Sequence, residues 1–422
     1  MGVNENCSVT AAAEERSSRP QLSRFLARQP ILNLQREVVG YELLFRAGWE
    51  NSFLGESDEA SRNMLDNYLY LGMESLTHNK LAFVNCTREL LVGKLVTILP
   101  PQTTVLEILE TVKPDAELVR ACVELREMGY ALALDDFIAY PEMQPLIEIA
   151  NYVKVDFRLS DAAKRQEIHR MVRGSKAALL AEKVEDQEEF DIARGEGYEY
   201  FQGYFFCRPK ITANREIPAN RMNYLQLLLE LTRQPVKLRE VTRIVRREAS
   251  LCYRLLLLAN SPRWSRRGNI TSVQDAFMLV GEDRFRALVS VAASCVLSQQ
   301  RTPALICLSL ERARFCELLA PLVGENPTEQ FMLGLLSLLD AMLEVPMDSI
   351  AKSLPLRDEA KAALLGEPNS AAVPLCLIRS FESGAWGTCA STAETLGVSE
   401  ETLANLYVEA VKWASDSVAA MQ

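Results

Sequence analysis

Between residues 25 and 210, short apolar runs alternate with longer segments of helical period, the pattern of repeated βα units on a parallel sheet. Eight runs read as strands: "RFLARQPIL", "VVGYELLFR", "KLAFVN", "TVLEILE", "YALALDD", "YVKVDF", "ALLAEKV" and "YFQGYFF". Most are apolar on both faces, as parallel strands covered by helices must be, and eight of them predict an α/β barrel of the (β/α)8 type. The residues between the first two runs, within "LNLQREV", are too few for a crossover helix, so the barrel is expected to open with an antiparallel pair. After "PKITANREIPANRM" the alternation stops and helical periodicity runs to the end. The expected layout is a loose tail over 1–24, the barrel over 25–215 and an all-α domain over 216–422.

Polar residues recur at one place in these units. Glu42 follows "VVGY", Asn85 follows "LAFV", Glu110 follows "LEIL", Asp135 and Asp136 follow "ALAL", Lys154 follows "NYV", Glu182 follows "LLA", and Gln202 lies inside "YFQGYFF". Their spacing, about 20 to 40 residues, is that of one βα unit each, and strand ends of such a barrel meet at one mouth. Taken singly, each is an ordinary strand-end polar residue. Together they bring acids, amides and one lysine from seven strands to a single rim, which solvation alone does not explain.

Composition narrows the chemistry. The 422 residues carry a net charge of -10, which argues against a protein that coats nucleic acid or anionic membrane over its whole surface. Ten cysteines are scattered without a C-x-x-C pair, so reduced thiols in a cytoplasm fit better than a disulfide framework or a zinc knuckle. The first twenty residues lack the apolar core of a secretory signal, and the longest apolar runs fall short of the roughly 20 residues that a membrane span needs. Only two histidines occur, His78 and His169, both in polar helical contexts that read as surface. Ser-His-Asp chemistry and histidine metal sites are thereby excluded, and any metal must be held by oxygen.

Four or five carboxylates within several ångströms either take up protons at raised pKa or bind cations. Acids with an Asn carbonyl, and no His or Cys, suit Mg²⁺ or Mn²⁺. The doublet Asp135-Asp136 could serve two such ions, one acid bridging them, and two metals clamp the attacking and leaving oxygens of a displacement at phosphorus. Lys154 would orient the attacking water or neutralise phosphate charge, with Gln202 as its hydrogen-bonding partner.

The run "YELLFR" resembles the signature of EAL domains, bacterial phosphodiesterases that linearise cyclic di-GMP, and "FVN", "EILE", "ALDDF", "VKVD", "AEKVE" and "FQGYFF" follow in the family's order over residues 25 to 210. The resemblance implies a TIM-like barrel. Glu42, Asn85, Glu110 and Asp135 would hold one metal ion, and Asp135, Asp136 and Glu182 the other. Lys154, Glu182 and Gln202 would carry the catalysis, Arg46 would contact substrate phosphate, and a homodimer through the barrel would be a partner state. Two departures stand out. Where the family continues Asp-Asp-Phe with Gly-Thr-Gly, this chain has Ile138, Ala139 and Tyr140. A glutamate expected three residues after the Glu110 position is replaced by Lys113. Glu42-Leu43-Leu44 in place of Glu-Ala-Leu is a smaller change.

In the second half, "LCYRLLLLANSPRWSRRGNITSVQDAFMLVGEDRFRALV", "LERARFCELLAP" and "FMLGLLSLLDAML" resemble the HDOD domain, an all-helical relative of HD phosphohydrolases. Such enzymes need a His-Asp pair, and here Ser337 and Leu338 stand at that place, with no histidine after residue 169. The resemblance therefore implies a non-catalytic scaffold that recruits a protein partner. Arg243, Arg246, Arg247, Arg254, Arg263, Arg266 and Arg267 make its start locally basic, read here as a solvated face. The whole resembles the EAL-HDOD group of bacterial signalling proteins. It implies hydrolysis of cyclic di-GMP to pGpG with two Mg²⁺ or Mn²⁺ ions, or, if the altered loop abolishes turnover, binding of nucleotide or a protein partner alone.

Overall fold

The computed structural model describes residues 25–46, 76–77, 79–207, 219–231, 233, 235–247, 249–261, 270–297, 303–354 and 356–419. The expected tail, His78 and the boundary near 215 lie outside them, as do Arg263, Arg266 and Arg267 and the side chain of Arg46.

All eight expected strands form, and they close a barrel in sequence order. They are β1 (Phe25–Asn33), β2 (Val38–Arg46), β3 (Leu81–Cys86), β4 (Thr104–Ile108), β5 (Ala131–Leu134), β6 (Tyr152–Asp156), β7 (Ala178–Glu182) and β8 (Tyr200–Gln202). β1 is antiparallel to both β2 and β8, and every other pairing is parallel. The opening hairpin follows from its short connection, which leaves no room for a helix.

The floor of the barrel is apolar: Ile31, Phe83, Val105, Ala133 and Leu180 are fully buried, with Tyr152 and Tyr200 packed against them. Because strand side chains alternate between faces, the next inward positions lie two residues further on. Those positions are Asn85, Glu107, Asp135, Lys154, Glu182 and Gln202. On β1, which runs the other way, the same level is reached by stepping back from Ile31 to Gln29, and Gln29 pairs in register with Glu42. A polar layer thus sits on an apolar one by strand geometry alone.

Three of the helices that follow the strands start on aspartates. Asp115 Oδ1 accepts from Glu117 N and Leu118 N ahead of Ala116–Glu127, and Asp161 and Asp186 cap Ala162–Val172 and Gln187–Gly195 in the same way. Beyond residue 218 every element among the described residues is helical. This helical region docks on β1. Arg28, almost fully buried, pairs with Glu311 of helix Pro303–Leu319 at 2.5 Å, and its guanidinium lies 4.4 Å from the centre of the Tyr41 ring.

Candidate functional site

The polar layer converges on one ammonium. Lys154 Nζ lies 2.6 Å from Asp135 Oδ1, 2.7 Å from Glu107 Oε1, 2.9 Å from Glu182 Oε1 and 3.5 Å from Glu42 Oε2. Lys154 and Glu107 are wholly buried, and Glu42 and Glu182 nearly so. Amides complete the ring: Gln202 Nε2 donates to Glu42 Oε2 at 2.6 Å and to Gln29 Oε1 at 2.7 Å, and Asn85 Nδ2 donates to Glu42 Oε1 at 3.3 Å. Gly203 fixes the end of β8. Its φ of +137° and a backbone approach by Val184 O that leaves 2.1 Å for a Cβ exclude any other residue.

One expectation is corrected here. Glu110, read as a metal ligand, lies in the turn after β4 with its side chain exposed, and Glu107 takes the inward place instead. The reason is phase. Val105 faces the interior, so Glu107 does too, whereas the strand ends at Ile108 before Glu110 is reached. Counted from Glu107, the position three residues on is Glu110, a glutamate, and the departure assigned to Lys113 falls away. The structure brings Glu42, Asn85, Asp135, Lys154, Glu182 and Gln202 together. Asp136 stands apart from Lys154. Its Oδ1 is 3.7 Å from Lys183 Nζ, which pairs at 2.5 Å with the buried Asp156. Both Asp136 (φ +38°) and Lys183 (φ +55°) adopt left-handed backbone, strain of a kind that concentrates at functional sites. Sequence reasoning missed Gln29, Glu107, Asp156 and Lys183. An acid at the fourth place of an otherwise apolar run was the available signal for Glu107.

Charge does not balance inside this ring. Burial works against the Lys154 ammonium, but Glu107, Glu182, Glu42 and Asp135 outweigh it and hold the lysine charged well above its ordinary range. One cation faces four carboxylates. Burial first, with Glu42 and Asp135 adding to it against the pull of Lys154, drives Glu107 far up; burial, Asp135 and Glu42 push Glu182 to about 8 against the same lysine. Asp136 is likewise raised by burial, with Lys183 opposing. Asn85 Oδ1, Glu107 Oε2, Glu182 Oε2 and Gln202 Oε1 are buried acceptors that receive no hydrogen bond among the described residues.

That surplus of hard oxygen acceptors, without His or Cys, fits a divalent cation of the magnesium or manganese kind. Among the described residues no three carboxylate, thiol or imidazole side chains converge on a common point of their own. Glu42, Glu107, Asp135 and Glu182 are drawn to Lys154 instead, so a metal would compete with that ammonium for their oxygens. His169, expected on the surface, is partly buried edge-on to Tyr198 at 5.3 Å, and burial lowers its pKa. It is remote from the ring in role, with Nε2 accepting from nothing described. Ser337, read from the sequence as standing at the place of the HD pair, donates to Gly334 O at 2.7 Å and accepts from Arg312 Nη1 at 3.2 Å.

The EAL domain model matches residues 74–209 and the HDOD domain model residues 217–347. Over 400 residues the chain is 35% identical to the protein YuxH of Bacillus subtilis, covering 92% of this chain and 97% of that one. It is 34% identical over 399 residues to the cyclic di-GMP phosphodiesterase CdgJ of Vibrio cholerae, covering 93% of this chain and 92% of the relative. Among solved structures, the PaMucR phosphodiesterase in complex with c-di-GMP is 22% identical with a TM-score of 0.36, over 47% of this chain and 99% of that one. The Bacillus subtilis YkuI protein with an EAL domain, bound to c-di-GMP and calcium, is 20% identical with a TM-score of 0.37, over 64% of this chain and 72% of that one. No helix among the described residues is long and apolar enough to cross a membrane. Two domain models in this order, and relatives aligned along more than nine-tenths of its length, show that the chain belongs to the EAL-HDOD family of bacterial signalling proteins.

Proposed function

We propose that the barrel hydrolyses cyclic di-GMP to linear pGpG in a reaction that uses two divalent ions, Mg²⁺ or Mn²⁺, and that the helical domain is a non-catalytic signalling module. The observation that carries this is the burial of four carboxylates around one ammonium, with acceptors left over. A cluster with that excess of negative charge is costly unless protons or cations share it.

In this reading Glu42, Asn85, Glu107 and Asp135 would hold one ion, and Asp135, Asp136 and Glu182 the other. The ions, when bound, would supply charge stabilisation at phosphorus and acidify water at neutral pH. Lys154, held charged by its neighbours, would orient the attacking water and offset charge on the phosphate. Gln202 keeps Glu42 in place through its amide and has a free carbonyl for a second hydrogen bond. Arg46, at the end of β2, is assigned to substrate phosphate. The relative CdgJ, named as a cyclic di-GMP phosphodiesterase, supports the substrate. Dimerisation through the barrel and a protein partner for the helical domain belong to the same proposal, as does a cytoplasmic location.

A second reading, nucleotide binding without turnover, has one observation in its favour. The segment after Asp136 carries Ile138 and Tyr140, each 54% exposed, in place of a glycine-rich loop. Incubation with cyclic di-GMP and Mn²⁺, followed for product by chromatography and for binding by calorimetry, separates the two. Product that requires metal supports hydrolysis; heat of binding without product supports the receptor.

A further inference from the structure

We propose that Gln29 is a positioning residue through which the helical domain sets the geometry of the barrel's acid ring. Gln29 sits on β1, the strand against which helices Val373–Ser383 and Glu400–Ala419 pack. Its two polar atoms face opposite ways. Nε2 donates to the backbone carbonyl of Glu382 at 3.2 Å, and Oε1 accepts from Gln202 Nε2 at 2.7 Å. Gln202 Nε2 in turn donates to Glu42 Oε2.

The polarity of this relay is dictated from the helical side. A carbonyl can only accept, so Glu382 O requires the NH₂ of Gln29 and turns its oxygen toward Gln202. That oxygen requires the NH₂ of Gln202, which leaves Gln202 Oε1 as one of the site's acceptors without a hydrogen bond among the described residues. Reversing the Gln29 amide would set NH₂ against NH₂ at one end and oxygen against oxygen at the other.

The Glu382 carbonyl is both available and fixed. It is one of the last four of its helix, which have no partner within the helix. Gly384 N takes Phe381 O and Ala385 N takes Ser380 O, so Glu382 O remains for Gln29. The Glu382 side chain is buried and accepts both Arg312 Nε at 2.8 Å and Arg312 Nη2 at 2.7 Å, and Arg312 also reaches Ser337. Arg312 thus ties the Glu382 side chain to Ser337, which restrains the residue whose carbonyl meets Gln29. Arg28, next to Gln29 and paired with Glu311, anchors β1 independently on the outer face.

The test leaves the acids and the lysine of the ring unsubstituted. Gly384 ends the helix in left-handed backbone (φ +68°), and an added Cβ there would lie 3.7 Å from Leu44 Cδ1. Gly384→Val is expected to strain this turn and so displace the Glu382 carbonyl. Gly384→Ala is the milder variant should the first not fold. In full-length protein, kcat and KM for cyclic di-GMP with Mn²⁺ are measured beside hydrogen exchange of residues 200–207, for Gly384→Val, Gln29→Leu and the pair. Each single variant is expected to lower kcat about tenfold with KM within about twofold, and the pair to be no worse than Gln29→Leu. Effects that multiply in the pair, or a Gly384 variant with unchanged kcat and exchange, overturn the proposal. Only the kinetic arm rests on the hydrolytic reading; if the parent chain shows no turnover, that reading fails and exchange at 200–207 decides this one by the same logic.

Discussion

Lys154 Nζ and Glu107 Oε1 lie 2.7 Å apart at a point where neither side chain reaches solvent. A buried pair of this kind is stable only while both partners are present, because either one alone is an uncompensated charge. Here the pair is the centre of a larger imbalance, since three further carboxylates share the same ammonium.

Lys154→Met should therefore destabilise the metal-free protein by about 3–5 kcal/mol, the range for breaking a buried ion pair. Mn²⁺ should raise the melting temperature of this variant more than that of the parent, since the ion replaces the lost countercharge. Calorimetric melting with and without Mn²⁺ checks both. Equal metal effects on the two chains would show that the ring does not take up the ion.

Glu107 and Glu110 should behave differently. Glu107→Gln is expected to weaken Mn²⁺ binding by about 100-fold, the upper end of the range for groups that merely support a metal ligand. Glu110→Gln, exposed in its turn, should change it by no more than about threefold. Isothermal titration of Mn²⁺ into each variant reads the difference, and the opposite ranking would restore Glu110 as the ligand.

The raised pKa of Glu182 gives a pH dependence with a definite sign. In the metal-free chain its folded pKa is about 8 against an ordinary 4.5, so the folded state binds the extra proton between those values. Stability should fall as pH rises through this window, and Mn²⁺ affinity should climb up to about pH 8, because the ion displaces that proton. Urea titrations and Mn²⁺ titrations from pH 5 to 9 check the two slopes, and metal affinity that is flat below pH 8 contradicts the assignment.

Asp156 titrates the other way. Burial would raise it, but Lys183 and the amides of Leu159 and Arg158 outweigh burial and hold it below its ordinary 3.8. Its stabilisation is present above that value and is lost as pH falls through the folded pKa. Asp156→Ala should cost about 1–3 kcal/mol at pH 7 and make the acid limb of the stability curve shallower, measured by urea unfolding at pH 7 and near pH 3.

The barrel was legible because its parallel strands are buried on both faces and read as continuous apolar runs such as "LAFVN" and "ALLAE". The polar layer was legible only where one polar residue ended a run. "TVLEILE" carries two acids, and the strand end that decides between Glu107 and Glu110 is not marked in the sequence. Gln29 sits inside the first run with no chemistry of its own to announce it. Asp156 stood in a quoted motif, yet its partner Lys183 comes 27 residues later. The docking of Arg28 on Glu311 joins positions 283 residues apart, and one-dimensional periodicity contains no record of which helix face meets which strand. Helical character past residue 218 was plain, whereas the pairing of Arg312 with Glu382 inside it was not.

The most direct measurement is chromatography of cyclic di-GMP incubated with the purified chain and Mn²⁺, beside Glu107→Gln. Linear dinucleotide that requires the metal and disappears in the variant is the expected result. No product from the parent chain, or equal product from both, would contradict a metal-dependent phosphodiesterase built on this acid ring.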